Sequence, residues 1–131
     1  MHSAQCTVDE NGSVRMEKTV MEKSLDFAVR IVNVARYLSS RKKEYTLSKQ
    51  LLRAGTSIGA NIAEAQRGQS TADFAAKMSV ALKECSETEY WLQLLYRTEY
   101  LTQKQYESLY NDIHELLKML TAICKQVNDK K

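Results

Sequence analysis

Four long stretches of the chain repeat apolar residues every three or four positions, the spacing of helices that bury one face. The last is the most regular. Tyr106, Leu109, Ile113, Leu116, Leu120, Ile123 and Val127 alternate steps of three and four, the seam of an antiparallel bundle, and Tyr110, Leu117 and Cys124 broaden it. Just ahead of it Thr102 and Gln105 have capping-box spacing. The first stretch runs from Glu22 to about Ser40, with Ser24 as N-cap and Asp26 in the first turn. Its apolar set, from Leu25, Phe27 and Val29 through Ile31, Val32 and Val34 to Leu38, spreads well beyond the roughly 100° stripe of a surface helix. Cover on two sides is therefore expected.

The second stretch is the unusual one. Leu47, Leu51, Ala54, Ile58, Ile62 and Ala65 make an ordinary core stripe, but Gly55, Gly59 and Ala63 lie beside it at steps of four. Glycine costs helix propensity, so this pair is worth having where another helix must come close. On the other flank fall Gln50, Arg53, Ser57, Asn61 and Glu64. The helix is expected to end at Gly68 in a left-handed C-cap. The third stretch starts at the Ser70–Thr71 pair and reaches about Tyr100, with Phe74, Met78, Ala81, Leu82, Cys85, Leu92 and Tyr96 as its core arc. Glu89 falls inside that arc. An unpaired buried carboxylate costs several kcal/mol, so Arg53 or Asn61 is expected to meet it in a buried polar network. Outside the arc, Val80, Trp91, Leu94 and Leu95 form a second apolar patch, expected to be a subunit interface.

Four helices joined by short loops pack as antiparallel neighbours, so the expected fold is an all-α, up-down-up-down four-helix bundle over residues 22–128. Residues 1–21 are expected to be a flexible extension, with the Asn11–Gly12 turn pair inside it and Met16 as an alternative start. Residues 129–131 are expected to fray. Absence of proline among the 131 residues agrees with long uninterrupted helices.

Charge and composition narrow the function classes. The net charge is +3, yet residues 22–67 hold nine basic and four acidic groups while 68–101 hold three and five. The basic surplus centres on Arg36, Arg41, Lys42, Lys43 and Lys49, with Tyr37 and Tyr45 alongside. Such a patch can meet phosphate, although +3 overall is far from a dedicated nucleic-acid binder. Cys6, Cys85 and Cys124 form no C-x-x-C pair, which fits a reducing cytoplasm and argues against a zinc site or disulfide framework. No apolar run approaches membrane-spanning length, and no membrane contact is expected.

The segments SLDFAVRIVNVARYLS, LSKQLLRAGTSIGANIAEAQRG and ALKECSETEYWLQLLYRTEYLT resemble the bacterial four-helix bundle proteins encoded within intervening sequences of 23S ribosomal RNA genes. The match spans Glu22 to Val127 and is carried by Arg53, Ser57, Ile58, Asn61, Ile62, Glu64, Glu84, Glu87, Glu89, Tyr90 and Trp91, with Ala65 where many members have glycine. The chain is also similar to the accessory variability protein of diversity-generating retroelements. The resemblance implies a left-handed bundle that assembles into a homopentameric ring, and a poorly defined cellular role. For the retroelement relative it implies nucleic acid and a reverse transcriptase as partners.

Catalytic chemistry finds no constellation. The histidines, His2 and His114, have no partner at metal-ligand spacing, and Glu84, Glu87 and Glu89 lack the Glu-x-x-His motif of a di-iron bundle. No nucleophile can be matched with a base and an orienting group, and Gly55 and Gly59 lie inside a helix rather than in a phosphate loop. Neither an enzyme, a metal nor a cofactor is expected. Two classes remain: a homo-oligomeric assembly protein, and a nucleic-acid-binding accessory protein using Arg36, Arg41, Lys42, Lys43 and Lys49 on RNA or DNA.

Overall fold

The computed structural model describes residues 4–8 and 14–129. Four helices carry the fold: α1 (Val20–Ser40), α2 (Thr46–Gln66), α3 (Thr71–Arg97) and α4 (Gln103–Asp129). Contacts between neighbours run in opposite sequence order. Ile31 lies against Gly55 and Ser24 against Gly59; Arg53 meets Glu84 and Glu87, and Glu64 meets Lys77. Cys85 Sγ approaches the Ile113 carbonyl at 3.7 Å while Tyr96 stacks on Tyr106, and α1 closes onto α4 through Lys23–Glu115 and Arg30–Asp112. Each helix is therefore antiparallel to the next, and α1 and α3 occupy diagonal corners of the bundle. This is the expected all-α four-helix bundle.

The core stripes follow coiled-coil spacing. Ser48, Leu51, Gly55, Ile58, Ile62 and Ala65 are buried along α2, and Met78, Ala81, Cys85, Thr88, Leu92 and Leu95 along α3. Leu109, Ile113, Leu116 and Leu120 are buried on α4, with Tyr106, Ile123 and Val127 half-buried beyond them. Three buried hydroxyls sit within these stripes and on α1. Each is satisfied by a backbone carbonyl three or four positions earlier: Ser24 donates to Met21 O, Ser48 to Glu44 O and Thr88 to Glu84 O, at 2.7–2.8 Å.

The close approach foreseen at the glycines lies between α1 and α2. A Cβ on Gly55 would stand 2.8 Å from Ile31 Cγ2, and one on Gly59 3.0 Å from Ser24 Oγ. Both are inside van der Waals contact, so the missing side chains set the spacing of this helix pair.

Several boundaries differ from expectation. α1 begins at Val20, inside the extension expected over 1–21, because Thr19 rather than Ser24 is the N-cap and accepts from Glu22 N at 3.2 Å. Within the same segment β1 (Ala4–Val8) and β2 (Val14–Lys18) pair antiparallel, in a register that sets Cys6 opposite Met16 and Val8 opposite Val14. The strands are only five residues each, too short for an apolar–polar alternation to stand out in the sequence. The Asn11–Gly12 pair, His2 and residues 130–131 lie outside the described residues. Gly68 is not left-handed; the last turn of α2 tightens instead, with Arg67 N donating to Glu64 O and Gly68 N to Ala65 O. α2 has no hydroxyl cap, and the Glu44 carboxylate accepts from Ser48 N in its place. The Ser70 cap of α3 and the Thr102–Gln105 capping box of α4 form as expected.

Candidate assembly and anion-binding surfaces

α3 decides where the polar residues go. Glu84 and Glu87, three positions apart, share the face turned to α2, and Arg53 bridges both. Glu87 also accepts from the Trp91 indole N–H at 3.2 Å. Glu89, two positions further along, points the other way, into a groove between α3 and α4 lined by Tyr110, His114, Leu117 and Lys118. Asn61 donates to the Ser57 carbonyl of its own helix at 2.8 Å. Arg53, Asn61 and Glu89 are thus not brought together. The buried network expected of them is replaced by a half-exposed Arg53–Glu84–Glu87 cluster, because Thr88 and not Glu89 occupies the core position.

The second apolar patch on α3 also divides. Leu95 is fully buried and belongs to the core of the single chain, so it leaves the interface set. Trp91 and Leu94 are half-buried, Trp91 lying against the core, while Val80 is 39% exposed. Tyr90, which hydropathy did not mark, is 57% exposed and meets the Trp91 ring edge-on at 5.1 Å. On α1 the excess apolar surface is real: Leu25 is 59% and Val29 56% exposed. Val32 and Leu52 continue this strip into an open groove between α1 and α2 whose rim carries Arg36 and Lys49.

Arg36, Arg41, Lys42, Lys43 and Lys49 are all exposed, and among the described residues none of them makes an ion pair. They gather at one end of the bundle, where α1 turns into α2. Lys43 there adopts a left-handed φ of 56°, and the Lys42 ammonium lies 6.0 Å from the Tyr37 ring centroid.

Reactive chemistry is scarce by comparison. Among the described residues no group of three His, Cys, Asp or Glu side chains could hold a metal ion. The Cys85 thiol is pushed up to about 12 by burial and by the nearby charge of Glu89, the opposite of an activated cysteine. His114 stacks on Tyr110 with ring centroids 5.5 Å apart, closing a ladder of rings that begins at Tyr96 and passes through Tyr106. Burial, then the neighbouring Tyr110, pushes the Tyr106 hydroxyl up. No described helix is long and apolar enough to cross a membrane.

The model of the family described as 23S rRNA-intervening sequence protein matches residues 16–122, from the middle of β2 through most of α4. The chain belongs to that family. A similar solved structure is that of a protein of unknown function from the S23 ribosomal protein family of Bacteroides thetaiotaomicron. The two are 59% identical, with a TM-score of 0.81, over 82% of this chain and 99% of that one. No curated protein matches the chain. Within the 23S rRNA-intervening sequence protein family, Arg53, Glu84, Glu87, Val80, Tyr90 and Trp91 lie in the matched region, whereas β1 lies outside it.

Proposed function

We propose that this protein is a non-enzymatic, cytoplasmic building block whose task is assembly: a four-helix bundle that associates with copies of itself into a small ring, a pentamer by resemblance. The observation that carries this is the pair Leu25 and Val29, each more than half exposed on a helix whose opposite face already fills the core. Adjacent large apolar side chains in water cost free energy that a neighbouring subunit recovers. Val80 and Tyr90 supply a second such site on α3. Sedimentation velocity at micromolar concentration tests the proposal. A closed oligomer is expected, and a monomer overturns it.

A second function is favoured by one specific observation, the five exposed cations at the α1–α2 end that lack carboxylate partners among the described residues. Repeated round a ring, even a weak phosphate-binding patch gains by avidity. Binding to RNA or DNA is expected to weaken steeply with salt, as release of condensed counterions requires. No binding at low salt removes this second function and leaves the assembly proposal standing.

A further inference from the structure

We propose that the groove between α3 and α4 binds a nucleotide whose base carries an exocyclic amino group. The site lies across α3 from Glu84 and Glu87 and is independent of the assembly and cationic surfaces above. It begins where a stack of rings stops. Tyr106, Tyr110 and His114 recur at every fourth position of α4, and their rings lie one beside the next, with Tyr96 of α3 stacked on the first. The same row continues as Lys118 and Ala122, so no ring follows His114. A groove of about 500 Å³ opens there, lined by Leu117 and Ala122, a size that suits a small ligand. His114 is exposed; one face of its ring meets Tyr110, and the described residues supply no ring for the other. A flat heterocycle laid on that face adds the rung that the row leaves out, and every nucleobase has such a face.

The charges around the groove select what else the ring must carry. The contacts Cys85–Ile113 and Tyr96–Tyr106 set Glu89 at the height of Tyr110 and His114. Lys118 and Lys125 follow further along α4, about two turns apart. All three line the groove, yet among the described residues none of them makes an ion pair. A half-buried carboxylate at one end and two ammonium groups towards the other, which do not meet, call for a ligand with a hydrogen-bond donor at one end and an anion at the other. An aminated base and its phosphate have that polarity. Glu89 accepts from the amino group, the base stacks on His114, and Lys118 and Lys125 hold the phosphate. Uracil carries a carbonyl oxygen in place of the amino group, so Glu89 disfavours it. A free nucleotide and the terminal residue of an RNA strand offer the same chemistry.

Titration calorimetry of the full chain with AMP, and separately with a short oligoadenylate bearing a terminal phosphate, tests this. Saturable binding is expected. Ala122→Trp, at an exposed position, fills the groove and is expected to abolish it while circular dichroism shows wild-type helix content. His114→Ala is expected to weaken it about tenfold, the worth of one base–aromatic stack. UMP is expected to bind less tightly than AMP, a preference that Glu89→Ala removes, and Lys118→Ala with Lys125→Ala is expected to leave AMP no tighter than adenosine. Replacing Arg41, Lys42 and Lys43 by alanine, at the other cationic surface, is expected to change none of this. Saturation by AMP identifies a free nucleotide as the ligand, and saturation by the oligoadenylate alone identifies a strand residue. If neither saturates, or if binding survives Ala122→Trp or is lost with Arg41, Lys42 and Lys43, the groove site is overturned, and both functions proposed above stand or fall on their own tests.

Discussion

The two helix pairs at opposite sides of the bundle are built by opposite means. Between α1 and α2 the spacing is set by what is missing: Gly55 admits Ile31, Gly59 admits Ser24, and the helices come close because neither glycine has a Cβ. Between α3 and α4 it is set by bulk. Tyr96 stacks on Tyr106 with centroids 4.6 Å apart and planes 7° from parallel, and the rings of Tyr110 and His114 continue the ladder. A close, small-residue contact suffers from added atoms, most of all at Gly55, and a ring-filled contact suffers from deletion. The two pairs should therefore fail in opposite directions.

The largest effect is expected at Gly55. A Gly55→Val side chain would drive atoms into Ile31, itself fully buried and β-branched, so overpacking should cost about 3 kcal/mol, less a little for improved helix propensity. Urea denaturation reads this directly, and Ile31→Ala should cost less in the valine background than in the wild type. At the other pair it is deletion that destabilises. Tyr106→Ala removes a half-buried ring from between two others and should cost about 2 kcal/mol, whereas Tyr106→Phe, which keeps the stack, should cost much less. Similar losses for Gly55→Ala and Tyr106→Phe would erase the contrast.

Alkali distinguishes the pairs in a second way. Cys85, buried against α4 with Sγ near the Ile113 carbonyl, has its thiol raised from 9.0 to about 12 by burial first and Glu89 second. A folded-state value above the unfolded one means that the unfolded chain gives up this proton first. The thiol's contribution is whole below pH 9 and is lost as pH rises through about 12. At pH 10 the loss should be about 1 kcal/mol. Stability measured between pH 8 and 11 should fall less steeply in Cys85→Ala than in the wild type; parallel slopes would show that Cys85 does not act this way.

What the sequence disclosed, and what it hid, follows the same physics. The α4 seam was legible position by position because its apolar residues face one way and its polar residues the other. On α3 apolar residues occur on several sides, so hydropathy could not set the phase. It placed Glu89 in the core and left out Thr88, whose hydroxyl is satisfied by the Glu84 carbonyl and so can be fully buried. That one shift moved Arg53 from Glu89 to Glu84 and Glu87 and put Leu95 inside the bundle. Ser24 and Ser48 were hidden in the same manner, each paired with its own backbone. Exposure of Leu25, Val29 and Val80 is different in kind. The sequence marked them as surplus to one helix stripe, but only the packed bundle shows which surplus residues remain bare.

Gly55 and Gly59 looked equivalent in sequence, and the smallest expected effect separates them. A Cβ at position 55 meets the branched carbons of Ile31, which have nowhere to go, whereas one at 59 meets the Ser24 hydroxyl at 3.0 Å, an atom at the end of a short rotor. Ser24 can give way by loosening its bond to Met21 O, at a cost comparable to the ~1 kcal/mol that alanine gains over glycine inside a helix. Gly59→Ala is therefore expected to change stability by less than about 1 kcal/mol, and adding Ser24→Ala should turn it favourable by removing the atom in the way. Thermal melts of the single and double variants give the answer. A loss at Gly59 as large as that of Gly55→Ala, unrelieved by Ser24→Ala, would mean that backbone rather than side chain limits how near α1 and α2 approach along their whole length.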